Sequence, residues 1–189
     1  MDNHPIIIGI SGASGVIHAV TLLEIIKKYT DIPTAVILSK AAERTLNTET
    51  DYRVEDIKKH ADSFYNIKDI GAKIASGSYK TRGMIIAPCS VKTMSELAYG
   101  IADNLIIRAA DVCLKERRPV ILGVRETPLH TGHLRTMTQL SEMGAIIAPP
   151  LPAFYLGKLT VEEMVEQICM RWLSLLGIDL PEKKVWLED

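Results

Sequence analysis

Aromatic residues are scarce in this chain: two Phe, two Trp and six Tyr make up 5% of its 189 residues. A surface that stacks successive nucleobases interleaves aromatic platforms with cations, and this sequence offers few such platforms. Nor is charge of one sign in excess. Lys and Arg number 22 against 23 Asp and Glu, a formal net charge of -1, which excludes the long-range positive field that captures DNA or RNA. A local basic pocket for a small anion remains compatible with it. The cysteines are only three, Cys89, Cys113 and Cys169, with no short ligand spacing. An odd, sparse set argues against a disulfide framework and fits a reducing compartment. His130 and His133 lie close together but lack a third ligand for zinc. The apolar run near the N-terminus, IIIGI, is too short for a membrane span and lacks the arrangement of a secretory signal. The expectation is a cytoplasmic protein that binds neither membrane nor nucleic acid, and no metal.

Apolar residues reach 47%, enough for one substantial core, and the length suits a single domain over residues 1–189. Short apolar runs at residues 6–10, 35–38, 84–87, 120–124 and 145–148 read as buried strands. Helical spacing predicts helices over 16–28, from 40 to about 47, and over 54–62, 91–99, 104–115, 134–143 and 160–176. Residues 50–82 are less regular and read as an elaboration of the domain. Pro88–Cys89–Ser90 reads as a turn. Strands alternating with helices predict a three-layer α/β domain with a mostly parallel open sheet covered on both faces.

Ligands of such folds sit beyond the C-terminal strand ends. Ser14, Ser39, Ser90, Arg125 and Tyr155 all follow strand or apolar-loop segments. The turn Gly9–Gly15, GISGASG, brings a strand close to a helix, with backbone N–H groups and the Ser14 hydroxyl facing a ligand. It is not a GxGxxG fingerprint. Ser39–Lys40 also occupies the place where a dinucleotide fold carries an acidic residue. No Walker motif is present. Cys89 beside Ser90 lacks the His–acid arrangement of an activated thiol and reads as a turn or core residue.

Ordered blocks then narrow the choice: GISGASG at 9–15, SKAAERTLNTETD at 39–51, RAADVCLKERRP within 108–119, RETPL at 125–129, HLRTM at 133–137 and GAIIAPPLPAFY at 144–155. Together they resemble the flavin prenyltransferase family, the UbiX-like enzymes formerly often named aromatic-acid decarboxylase subunits. The resemblance implies a Rossmann-like or flavodoxin-like subunit in a large homo-oligomer, commonly a dodecamer. It implies FMN bound near subunit boundaries, in reduced form as the prenyl acceptor, and a dimethylallyl monophosphate or diphosphate co-substrate. The product, FMN prenylated at N5 and the adjacent ring carbon, would pass to a recipient decarboxylase that depends on it.

Carried over residue by residue, the resemblance implies FMN contacts from Gly12, Ala13, Ser14, Ser39, Ser90, Val91, Lys92, Thr93 and Arg125. Lys115, Arg125, Tyr155 and Arg171 would hold the substrate phosphate, neutralising charge without a metal. Glu49 with Ser14 would manage protons near N5, and Glu126 those of the phosphate or of the developing tertiary carbocation. Arg108 would organise the site through Glu49 or another acid, or pair with Asp111 three residues on. Two features depart from the family: Leu156–Gly157–Lys158–Leu159 follows Tyr155, and His18 stands where relatives often carry tyrosine. The rivals are an FMN-dependent decarboxylase of the cysteine-decarboxylase group and a noncatalytic flavin-binding protein. The catalytic histidine and PxMNxxMW-like segment of the former have no good match here.

Overall fold

Isoleucine and valine dominate the strands because a parallel sheet covered on both faces leaves no strand side facing water. The computed structural model describes residues 4–181. Its strands are β1 (Ile6–Ile10), β2 (Thr34–Leu38), β3 (Ser63–Tyr65), β4 (Gly83–Cys89), β5 (Val120–Val124) and β6 (Ile146–Ile147). They form one all-parallel sheet in the order β3-β2-β1-β4-β5-β6. The helices are α1 (Ile17–Tyr29), α2 (Lys40–Glu49), α3 (Val54–His60), α4 (Val91–Ala98), α5 (Leu105–Lys115), α6 (Thr131–Glu142) and α7 (Val161–Leu175).

The period of two along each strand divides the core. Ile6, Ile8, Ile10, Val36, Ile85 and Ile121 face the layer that holds α1 and α7. Ile7, Ile37, Met84, Ile86, Val120 and Leu122 face α5 and the buried sides of α4 and α6. The chain builds outward from β1 to β2 and β3, then returns to β4 on the other side of β1. That reversal opens a crevice above the C-terminal ends of β1 and β4, where open α/β sheets take their ligands. Among the described residues no helix is long and apolar enough to cross a membrane.

The structure differs from the expectation in four places. Pro88 and Cys89 continue β4, past a register irregularity, instead of turning. Ser63–Tyr65 forms an edge strand on β2. Helix α3 stops at His60 because Asp62 turns to β2: its Oδ2 accepts from Thr34 N at 2.8 Å and from Thr34 Oγ1 at 3.0 Å. Helix α6 starts at Thr131, ahead of Leu134, because the His130 ring caps it. Nδ1 of His130 accepts from the amides of Gly132 (3.0 Å) and His133 (3.4 Å).

Candidate functional site

The floor of the crevice is stitched by hydrogen bonds that extend the sheet beyond its strands. Ser39 N donates to Ile10 O (3.0 Å), Ser11 N to Pro88 O (3.3 Å) and Arg125 N to Cys89 O (3.1 Å). Pro88 has no N–H to give, and Ser11 binds the backbone on either side of its carbonyl. Its Oγ donates to Pro88 O at 2.8 Å and accepts from Ser90 N at 2.8 Å. Ser11 is 2% exposed. Nothing local in GISGASG marks this serine out; only the fold shows that it reaches across to β4.

One wall is the loop from β1 to α1 pressed along α2. A Cβ on Gly12 would come within 2.3 Å of Ala41 Cβ, so only glycine fits there. Gly15 has φ +91°, a conformation that favours glycine. Its amide donates to Glu49 Oε2 at 2.8 Å. Both ends of α2 therefore touch this loop, which leaves Gly12, Ala13 and Ser14 at the crevice with Ser14 exposed. The other walls begin at helix N-termini. Ser39 caps α2, its Oγ accepting from Ala42 N (3.0 Å). Ser90 caps α4, its Oγ accepting from Thr93 N (3.2 Å) and donating to Thr93 Oγ1 (3.0 Å). Both serines thus serve as helix caps just beyond the C-terminal strand ends. Val91 is half-buried and Thr93 buried, whereas Lys92 reaches outward to Glu96 at 3.2 Å. Small side chains, hydroxyls and two helix N-termini converge on one crevice, and this set fits a flavin with its phosphate.

The remaining candidate residues fall in three groups. Arg125 and Glu126 are exposed just past β5, and Glu126 Oε1 accepts from Thr127 N at 3.0 Å. Tyr155 and Arg171 line a groove of about 590 Å³ between β6 and α7, with Ile146, Ala148, Ile168 and Trp172. Trp172 Nε1 donates to Ala148 O (3.0 Å) and fixes the chain that leads to Tyr155. Arg108 and Lys115 lie elsewhere, on α5. Arg108 pairs with Asp111 at 3.1 Å, and Lys115 pairs with Glu116.

Helix α5 begins at the C-terminal edge of the sheet, where Leu105 N donates to Ile67 O (2.8 Å) just after β3. Its far end lies by Gly77. That segment is tied by Arg118, whose guanidinium donates to Gly77 O (2.6 Å) and Tyr79 O (2.8 Å) ahead of β5. Eleven residues of helix span roughly 16 Å, so Lys115 stands at the opposite edge of the sheet from Arg125. One chain brings Ser14, Ser39, Glu49, Ser90 and Arg125 to a common edge and Tyr155 to Arg171. It does not bring Lys115 to either group.

Burial pushes the Cys89 thiol up to about 12, and the thiols of Cys113 and Cys169 also upward. None is a nucleophile at neutral pH. Among the described residues no group of three or more His, Cys, Asp or Glu side chains could hold a metal ion.

Known proteins match this architecture along nearly its whole length. The Flavoprotein family model matches residues 1–173. Flavin prenyltransferase UbiX of Escherichia coli K12 is 50% identical over 177 residues, covering 94% of each chain. The crystal structure of AnUbiX in complex with FMN and dimethylallyl pyrophosphate superposes with a TM-score of 0.95 at 38% identity, covering 98% of each chain. A dodecameric FMN-dependent UbiX-like decarboxylase from Escherichia coli O157:H7 gives a TM-score of 0.94 at 41% identity, covering 97% of this chain and all of the other.

Proposed function

This chain belongs to the flavin prenyltransferase family of flavoproteins, and on that premise we propose that it joins the dimethylallyl group of a phosphate ester to reduced FMN. The bonds form at N5 and the adjacent ring carbon, and the phosphate leaves. The observation that carries this reading is Glu49, held by the Gly15 amide at the lip of a crevice lined by Gly12, Ala13, Ser14, Ser39 and Ser90. Bound in that crevice, FMN supplies the nucleophilic nitrogen and ring carbon.

The chain's own residues supply the rest. Gly12 to Ser14, Ser39, Ser90 to Thr93 and Arg125 hold FMN. Glu49, with the Ser14 hydroxyl from the loop whose Gly15 amide it holds, moves the proton at N5. Tyr155 and Arg171, with Arg125, grip the phosphate as charge gathers on it; donors already in place stabilise that charge without reorganising. Glu126 exchanges the phosphate proton. Lys115 belongs to the same set, yet stands at the far edge of its own sheet, so a second copy of the chain delivers it. Arg108, half-buried beside Asp111, orients the acids it faces across that boundary.

This division supports a homo-oligomer, and the dodecameric relative supports that size. The dimethylallyl pyrophosphate in the AnUbiX complex supports a dimethylallyl donor; the monophosphate is the other candidate. We further infer a cytoplasmic enzyme, in keeping with three free thiols, whose product serves a decarboxylase.

The test is anaerobic incubation with reduced FMN and either dimethylallyl ester. A cyclised adduct one isoprene unit heavier than FMN is expected; no adduct with either donor rejects the reading. Release of carbon dioxide from an aromatic acid by this chain alone would favour the decarboxylase rival.

A further inference from the structure

Behind the loop that carries Gly12 to Ser14 stands a histidine to which the prenyl-transfer reading gives no task. His18 is 9% exposed, and its Nδ1 lies 2.8 Å from Gly15 O. A carbonyl only accepts, so Nδ1 carries the proton and Nε2 is left as an acceptor. That Nε2 is buried without a partner. Gly15 is thereby held on both sides, its carbonyl by His18 and its amide by Glu49. The two contacts fix the peptide planes that flank one residue at φ +91°.

On its far side the His18 ring meets Trp172, centroid to centroid at 5.4 Å and tilted by 46°. Cys169 Sγ donates to His18 O at 3.3 Å and pins the same turn of α1 to α7. Trp172 in turn binds Ala148 O, and Arg171 is its neighbour in the chain. A continuous set of contacts therefore runs from the groove of Tyr155 and Arg171, through Trp172, His18 and Gly15, to the carboxylate of Glu49.

We propose that His18 is a positioning residue. Its Nδ1–H orients Gly15 so that the Gly15 amide holds Glu49, and its seat against Trp172 keeps that carboxylate in register with the wall that carries Tyr155 and Arg171. This rests on Glu49 handling the proton in prenyl transfer. The part that matters is a donor at the position of Nδ1, which asparagine can also supply.

Two measurements on wild type, His18→Phe and His18→Asn test it: hydrogen exchange of the FMN-free protein over residues 11–17, and single-turnover adduct formation. Losing one neutral hydrogen bond is expected to speed Gly15 amide exchange and to slow adduct formation, each about tenfold in His18→Phe. FMN affinity should stay within about twofold, and His18→Asn should restore both rates. With Glu49→Gln already present, His18→Phe should cost nothing further, since it acts through that carboxylate. The proposal is overturned if His18→Phe matches wild type, if asparagine is no better than phenylalanine, or if the two losses multiply. Faster exchange spreading into β1 and β4 would also overturn it, as a general folding defect. If wild type forms no adduct, prenyl transfer fails as the activity, while the exchange experiment still judges the His18–Gly15–Glu49 contact.

Discussion

Glu49 and Glu126 are carboxylates at the rim of one crevice, each holding a single backbone amide. A side chain so placed can change protonation without disturbing a core. Replacing either with glutamine should leave FMN binding intact and slow single-turnover adduct formation about 10²-fold, the usual scale for a lost acid–base group. Equal rates in both variants and wild type would remove their assigned roles. The buried titratable groups also act on stability. Burial holds His18 below its ordinary value of 6.5, so its contribution is present above pH 6.5 and is lost as pH falls toward the folded value. The thiols shift the other way. Cys89 rises from 9.0 to about 12, so its contribution is full below pH 9 and is lost as pH rises toward 12. Chemical denaturation across pH should show both limbs. His18→Phe should flatten the acid limb alone, and Cys89→Ala should flatten part of the alkaline one.

At the scale of elements, most of the architecture was legible because each central strand is an unbroken apolar run and several helices, though not α1, open on a capping side chain. Ser39, Ser90, Asn104 and Thr160 all accept from a backbone amide of the first turn. Ser39→Ala should destabilise the protein by about 1 kcal/mol, as other lost caps do. It should also weaken FMN binding if the same hydroxyl touches the ligand, and titration calorimetry beside thermal melts separates the two effects. What stayed hidden lacked a local signal. Ser63–Tyr65 is three half-buried residues whose strand character comes from pairing with β2. The continuation of β4 through Pro88 depends on Ser11, 77 residues away. The contact between Gly15 and Glu49 spans 34 residues and a helix. The Trp172–His18 contact joins the first helix to the last.

At the scale of the whole molecule, the informative fact is the distance between Lys115 and the residues it was grouped with. A site that draws Lys115 from one copy and Tyr155 and Arg171 from another can be rebuilt from two broken parts. Lys115→Ala and Arg171→Ala should each lose most activity. Oligomers assembled from a mixture should regain roughly a quarter of it, the share of sites that receive both intact sides when subunits mix at random. No recovery would mean that one chain supplies the whole phosphate site. Resemblance brings these residues together but does not assign them to chains, because a motif carries no information about which copy it serves. The exposed apolar side chains of Leu151, Phe154 and Val161 near the groove suit a face that another subunit covers.

The seam made by Ser11 has a consequence for selectivity. Ile10 O, Pro88 O and Cys89 O each already accept a bond from a neighbouring residue, and the Ser11 hydroxyl is engaged in both directions. The base of the crevice therefore presents a surface whose polar appetite is already met. A planar ligand lying there is sorted by outline and thickness, while discrimination among oxygens and nitrogens falls to the loops around its perimeter. Analogues altered at the edge of the ring system should lose affinity far more than analogues altered only in the electron density of its face.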